Sequence, residues 1–298
     1  MRLAYLGTPQ VAVAPLRALC AAGHDVALVV TAPDRRRGRG GALVPTPVKS
    51  CALELGLPVS SDVSDVLEAG VELGVVVAFG TIVPSGVLRA VPMVNLHFSL
   101  LPRWRGAAPV ERAILAGDAT TGVCLMALDE GLDTGPVYAR VETAVLPGET
   151  ARELRARLGE LGTGLLIDRL SDGLCNLGAP LPQVGEAVYA AKIGREELKL
   201  DWSRPAIELE RLIRVGRAWT TFRGRRLIIE SARVAVFLGR DGEDGSRDLA
   251  PGSVVGETVV CGDGRLELLE VRPEGRSAQG FSAWRRGARP VEGECLGT

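Results

Sequence analysis

Aromatic side chains are scarce in this 298-residue chain, at 4% of positions, and histidine occurs twice, as His24 and His97. With so few rings the interior must be aliphatic, and 46% hydrophobic residues are ample for a core. Six cysteines (Cys20, Cys51, Cys124, Cys175, Cys261 and Cys295) stand far apart without a Cys-x-x-Cys pair. Together with two histidines they offer no zinc-ligand spacing, so no metal is expected. Unpaired, scattered thiols fit a reducing cytoplasm. No apolar run approaches the ~20 residues of a membrane helix, so no membrane partner is expected. The opening Met1-Arg2-Leu3-Ala4-Tyr5-Leu6-Gly7 reads as a first strand rather than a leader, because no long apolar stretch follows a basic head. A net charge of −1 gives no global attraction to nucleic acid and shifts attention to local charge. The first turn, Gly7-Thr8-Pro9-Gln10-Val11-Ala12, lacks the Gly-x-Gly-x-x-Gly of dinucleotide binders, and no Gly-Lys-Ser/Thr occurs. Hydride transfer and ATP-driven chemistry are therefore disfavoured.

Short apolar runs alternate with helical spacing through the first half. Residues 3–6, 26–31, 75–79 and 93–97 read as strands, several apolar on both faces, as in a parallel sheet covered by helices on each side. Residues 11–22, 47–55 and 63–69 carry helical spacing, and Thr46-Pro47 supplies a hydroxyl N-cap followed by proline at the first helical position. Residues 108–116 read as a helix, 122–128 as a further strand, and 148–170 as a long helix returning to the sheet. The stretch Asn176-Leu177-Gly178-Ala179-Pro180-Leu181-Pro182-Gln183-Val184-Gly185-Glu186 has linker chemistry. Beyond it, 205–216 reads as one helix. Residues 226–230, 233–238, 253–260 and 266–272 read as short strands of a small β-barrel, with 239–248 a mobile polar loop. The expected fold class is α/β: a Rossmann-like, mostly parallel sheet domain at 1–182, a linker at 183–202, and a C-terminal OB-like β-barrel domain at 203–298.

One stretch concentrates chemistry: Val94-Asn95-Leu96-His97-Phe98-Ser99-Leu100-Leu101-Pro102-Arg103-Trp104-Arg105-Gly106. Two residues apart on a strand, Asn95 and His97 share a face, so an amide and an imidazole aim at one reacting atom. His97 ends its strand, at the edge where open α/β sheets bind ligands. Gly131-Leu132-Asp133-Thr134-Gly135 sets a carboxylate 36 residues (133 − 97) beyond His97, room for a helix and a strand to return it to the same sheet edge. There it would orient the imidazole. An amide, an imidazole and a carboxylate are tools for acyl transfer. Taken alone, Asp129 and Asp133 also read as turn formers, and His24 as a surface turn residue.

These motifs are joined by Gly7-Thr8-Pro9, Pro33-Asp34-Arg35, Gly38-Arg39-Gly40, Pro45-Thr46-Pro47-Val48-Lys49, Ala107-Ala108-Pro109, Ala116-Gly117-Asp118, Tyr189-Ala190-Ala191-Lys192 and Leu200-Asp201-Trp202. The chain resembles the folate-dependent formyltransferase family over nearly its whole length, and within it the branch acting on tRNA. The resemblance implies a formyltransferase domain followed by a tRNA-binding barrel. It implies Asn95, His97 and Asp133 as the catalytic trio, and Ser99, Leu100, Leu101 and Pro102 as folate contacts. The α-amino group of initiator methionyl-tRNA would attack the formyl carbon of 10-formyltetrahydrofolate. Asn95 and His97 would hold the developing oxyanion, while Asp133 orients His97 and helps move the proton. That describes a cytoplasmic, monomeric translation-initiation enzyme needing neither metal nor covalent intermediate.

Arg35-Arg36-Arg37-Gly38-Arg39-Gly40 is too glycine-rich for a helix and reads either as a solvated loop or as a phosphate contact. The resemblance places Arg35 and Arg39 at the acceptor end of tRNA. A second cluster, Arg211, Arg214, Arg217, Arg223, Arg225, Arg226 and Arg233 against Glu230, has a local charge of +6 (7 − 1). It reads as a solvated face or as an RNA-backbone surface with Arg214 among the contacts. Phe98 stands where a small residue is common in the family. Two rivals carry other consequences: a formyltransferase acting on a nucleotide-linked amino sugar, and a nucleic-acid-binding protein with a vestigial folate site. The arginines weigh against the first and the intact trio against the second.

Overall fold

The computed structural model describes residues 1–37, 41–235, 249–291 and 293–298. They divide into two compact units, one formed by 1–112, 119–145 and 153–192, the other by 113–118, 146–152 and 193–298.

The strands of the first unit are β1 (Arg2–Gly7), β2 (Asp25–Val30), β3 (Arg35–Arg37), β4 (Ala42–Val44), β5 (Val59–Ser60), β6 (Leu73–Val77), β7 (Met93–His97), β8 (Arg105–Gly106), β9 (Thr120–Ala127), β10 (Val137–Ala144) and β11 (Tyr189–Ala190). Seven make one sheet in the order β10-β9-β7-β6-β1-β2-β5. β5, β2, β1, β6 and β7 run parallel, whereas β9 is antiparallel to β7 and β10 to β9. Every residue of β6 and β7 is buried, which is why these strands read as unbroken apolar runs. On one face Ala4, Leu6, Leu28, Val30, Val76 and Met93 pack with Val63, Val66 and Val87.

In this unit the expected strands appear within about two residues of their bounds, and residues 93–97 coincide with β7. The segment 11–22 divides into a 3₁₀ turn, Gln10–Ala12, and helix α1 (Val13–Ala21). Residues 63–69 are a 3₁₀ turn, Val63–Leu67, rather than an α-helix. Its two buried side chains, Val63 and Val66, stand three apart, the spacing that eclipses in a three-residue turn. Helix α3 (Ser85–Ala90) was not expected; six residues with one buried side chain, Val87, carry no period. β10 was missed because it alternates between exposed and half-buried residues and so shows no apolar run.

Helix α2 (Pro47–Glu54) begins as expected: the Thr46 side chain accepts the Lys49 backbone N–H at 3.1 Å. The Thr46 hydroxyl also lies 2.8 Å from that of Thr31. Thr46→Ala removes the cap and leaves Thr31 unpaired, and should destabilise the fold by about 1 kcal/mol or more. Denaturant unfolding measures this directly, and an unchanged midpoint would contradict it.

Helices α4 (Pro109–Ala116) and α5 (Ala151–Leu170) follow the expected segments. The second unit holds α6 (Ala206–Val215) and strands β12 (Trp219–Phe222), β13 (Arg225–Val234), β14 (Val254–Val255), β15 (Thr258–Val260), β16 (Arg265–Pro273) and β17 (Gln279–Gly280), ending in α7 (Phe281–Ala288). The strands form an antiparallel sheet in the order β12-β13-β16-β15-β14, with β17 added to β16. The two strands expected at 226–230 and 233–238 meet in one, β13, whose register shifts around Ser231, while the one strand expected at 253–260 is instead a hairpin of two, β14 and β15, turning at Gly256. Phe237, Leu238 and the loop expected at 239–248 lie outside the described residues. Trp202, Leu209, Leu212, Ile229, Val271, Phe281 and Trp284 form the core of this unit.

Candidate active site

His97 is the last residue of β7 and Asn95 stands two before it, 5% and 9% exposed respectively. No hydrogen bond holds the Asn95 side chain among the described residues, and its amide is not among the fully buried unpartnered atoms, so it reaches accessible space. It is therefore free to serve an oxygen that arrives with a substrate. His97 Nε2 lies 2.8 Å from the carbonyl oxygen of Trp104. A carbonyl can only accept, so Nε2 carries the hydrogen and donates it. That leaves Nδ1 turned toward Asp133, whose Oδ2 is 3.6 Å away. The same Oδ2 accepts the backbone N–H of Gly106 at 2.8 Å.

The loop after β7 is held from two sides. Inside it, the Ser99 hydroxyl donates to the Arg103 carbonyl at 2.6 Å, and the Arg103 guanidinium sits 4.4 Å from the centre of the Trp104 ring. Trp104 adopts φ +64, a left-handed backbone that turns its carbonyl to His97. From outside, β11 pairs in parallel with β8: Arg105 N–H donates to the Val188 carbonyl and Ala107 N–H to the Ala190 carbonyl, both at 2.9 Å. Gly106 has φ +116, and a Cβ there would come within 3.0 Å of the Ala190 oxygen, so only glycine serves. Residues 183–192, where the linker was expected to open, thus belong to the first unit and brace its active loop.

Asp133 reaches His97 by a route the spacing alone did not foresee. The expected helix and strand between them are present as α4 and β9, but β9 runs antiparallel to β7, with His97 opposite Cys124 and Val94 opposite Ala127. β9 therefore ends beside the start of β7, and the loop 128–136 must fold back along the strand to carry Asp133 to His97. The Asp129 carboxylate holds that loop, accepting the Gly131 N–H at 3.1 Å and the Thr134 hydroxyl at 2.7 Å. Asp133 itself has φ +52. The Gln183 amide also grips the loop: Nε2 donates to the carbonyls of Asp133 (2.9 Å) and Gly135 (2.8 Å). Its Oε1 accepts from Arg105 Nε (3.0 Å) and Nη2 (2.7 Å). Sequence reasoning passed over Gln183, because a glutamine in a Pro- and Gly-bearing stretch carries no local signal.

The four expected folate contacts divide. Ser99 is fully buried with its hydroxyl spent on Arg103, and Leu101 is buried beside Cys124 and Met126. Leu100 and Pro102 are half-buried and offer apolar surface. Phe98 is buried.

Of the expected tRNA contacts, Arg35 is exposed on β3 and has no partner among the described residues. The adjacent Asp34 pairs with Lys49 at 2.8 Å, tying this segment to α2. Arg39 lies outside the described residues. Arg214 has a largely buried side chain that donates to the Glu149 carbonyl (2.8 Å), the Leu146 carbonyl (3.2 Å) and Glu210 (3.4 Å), all within the second unit, so three of its five N–H groups are engaged there. The surrounding cluster is also less positive than the count suggested. Arg223 pairs with Glu294 and Arg233 with Glu267, both at 2.6 Å, carboxylates that a window over 211–233 cannot include. Arg217 and Arg225 remain exposed and unpaired among the described residues.

No thiol is poised as a nucleophile here. Cys124, across the ladder from His97, has its thiol pushed up by burial, as have Cys20 and Cys51, and burial pushes that of Cys261 up to about 11. Because the thiolate is the reactive form, iodoacetamide at neutral pH should modify the exposed Cys175 well before Cys124. Peptide mapping by mass spectrometry checks the order, and equal rates at both sites would contradict it.

Residues 1–170 match the family model described as formyl transferase, and residues 192–289 match that described as formyl transferase, C-terminal domain. The methionyl-tRNA formyltransferase of Dinoroseobacter shibae is 44% identical over 292 residues, spanning 93% of this chain and 94% of its own. Among solved structures, methionyl-tRNA formyltransferase from Clostridium thermocellum superposes with a TM-score of 0.57 at 18% identity, covering 80% of this chain and 95% of that one. An N-formyltransferase from Helicobacter canadensis, in complex with folinic acid and dTDP-3-aminofucose, superposes with a TM-score of 0.67 at 17% identity, covering 89% and 97%. At such identities the two structures speak for the fold alone.

Proposed function

The chain belongs to the formyl transferase family, and from that premise we propose that it transfers the formyl group of 10-formyltetrahydrofolate to the α-amino group of initiator methionyl-tRNA. The observation that carries the reading is the unpartnered, accessible Asn95 amide, two residues from a histidine whose Nδ1 faces Asp133. The residues suit such a donor: an amide is left over for its formyl oxygen, and Leu100 and Pro102 provide apolar surface at the loop. Bound there, it supplies the formyl carbon that the amine attacks. Asn95 donates to the oxygen on which negative charge develops, whereas His97, expected to share that role, has Nε2–H on the Trp104 carbonyl and Nδ1 facing Asp133. Asp133 and His97 Nδ1 stand where the proton lost by the attacking amine can be taken up and passed on.

In this reading the first unit, including residues 183–192 that brace its active loop, carries the chemistry, and residues 203–298 hold tRNA. Arg35 and Arg39 approach the acceptor-end phosphates. The enzyme works in the cytoplasm as a monomer, at translation initiation. Incubating the purified chain with 10-formyltetrahydrofolate and either charged initiator tRNA or a nucleotide-linked amino sugar tests the acceptor. Formylmethionyl-tRNA is the expected product, and transfer to the sugar alone would overturn the proposal. Arg35→Ala should raise KM for tRNA several-fold and leave KM for the folate unchanged.

A further inference from the structure

The geometry points to Gln183 as a positioning residue that sets Asp133 for proton transfer; this rests on the reading of Asp133 as a catalytic carboxylate. Gln183 lies 50 residues beyond Asp133, yet its amide Nε2 donates to the carbonyls of Asp133 at 2.9 Å and Gly135 at 2.8 Å, flanking the turn that presents the carboxylate. The turn needs holding. Asp133 sits at φ +52, a left-handed conformation that L-residues other than glycine adopt at a cost. Asp129 anchors one end of the loop through Gly131 and Thr134, and Gln183 anchors the residue that does the chemistry.

The other half of the amide reaches the second loop of the site. Oε1 accepts from Arg105 Nε at 3.0 Å and Nη2 at 2.7 Å. Arg105 directly precedes Gly106, whose N–H is bound by the Asp133 carboxylate at 2.8 Å. One side chain thus joins the Asp133 backbone to the loop that receives the Asp133 side chain, closing a ring of hydrogen bonds around the carboxylate. The chemistry demands glutamine. Guanidinium groups only donate and carbonyls only accept, so the bridge must accept on one side and donate on the other. A glutamate satisfies Arg105 but turns an oxygen toward two carbonyls. A leucine fills similar space and satisfies neither side.

The test compares Gln183→Leu and Gln183→Glu with wild type, alone and combined with Asp133→Ala, in single-turnover formylation of methionyl-tRNA. Gln183→Glu keeps the Arg105 contact, so it separates loss of the Asp133 grip from loosening of the chain near 183. Both single variants should lower the transfer rate by about ten- to a hundredfold, with KM for tRNA and folate within twofold, because a loosened turn misplaces the carboxylate. In the Asp133→Ala background the same changes should cost less than twofold, since nothing remains to be positioned. Two results would overturn the inference: a transfer rate within twofold of wild type in Gln183→Glu, or the full loss repeated in the Asp133→Ala background. If Asp133→Ala alone keeps wild-type turnover, the catalytic reading of Asp133 fails, and the role of Gln183 falls with it. If Asp133→Ala is slow but Gln183→Glu is not, only the role of Gln183 fails.

Discussion

Asn95→Ala should lower kcat by about 10²–10³-fold, the usual cost of losing one preorganised oxyanion donor. The size of this effect follows from what the amide does not do in the folded chain. It belongs to the middle residue of β7, between buried Val94 and Leu96, and holds no hydrogen bond among the described residues. Removing it breaks no bond of the fold, so the melting temperature should stay close to that of the wild type. The loss should appear in kcat, with KM for both substrates within a few-fold, because a donor that meets charge only as it develops contributes nothing to ground-state binding. Asn95→Asp should be at least as slow, since a carboxylate there opposes the charge it must help to hold. Steady-state kinetics with charged initiator tRNA, read beside a thermal melt, decides the matter. A kcat within threefold of wild type would place the formyl oxygen elsewhere. A large fall in melting temperature would mean that the amide is part of the fold.

Asn95 and His97 were legible because a strand has a period of two residues and β7 is buried along its whole length, so its ends and its shared face stand out in the sequence. Asp133 was legible as a residue but not as a path. Nothing in its Gly-flanked motif says that β9 runs antiparallel, or that the following loop must return along β7. The bracing of the active loop by Val188 and Ala190 and the grip of Gln183 escaped for a related reason. All of them are made to backbone carbonyls distant in sequence, and backbone partners leave no trace in residue type. Charge misled in the opposite direction. Counting arginines between 211 and 233 overlooks Glu267 and Glu294, which sheet pairing and the chain end bring back to them. It also overlooks that Arg214 is largely buried and donates to two carbonyls of its own unit. The tRNA surface is therefore the part of the function least readable from composition, while the parallel sheet was the most readable.

His97→Ala and Asp133→Ala should each lower kcat by about 10²–10⁴-fold, and the double variant should be no slower than the slower single one. The geometry makes the two residues one device. His97 Nε2–H is committed to the Trp104 carbonyl at 2.8 Å, so the only nitrogen that can exchange a proton is Nδ1, and Nδ1 faces Asp133 Oδ2 at 3.6 Å. Without the imidazole, the carboxylate keeps its bond to the Gly106 N–H but has lost its proton partner. Without the carboxylate, Nδ1 loses the group that orients and relieves it. Either deletion abolishes the same transfer, so the second has little left to remove, as when members of a catalytic unit are deleted together. Asp133→Asn sharpens the point, because one atom, Oδ2, both accepts from Gly106 and faces Nδ1. An amide oxygen in its place keeps the Gly106 bond without the charge that draws a proton, and an amide nitrogen opposes the Gly106 N–H. Neither orientation restores proton uptake, so Asp133→Asn should resemble Asp133→Ala in rate while retaining more of the stability. Costs that multiply in the double variant would show instead that His97 and Asp133 act in separate steps, His97 on the oxyanion and Asp133 on the amine.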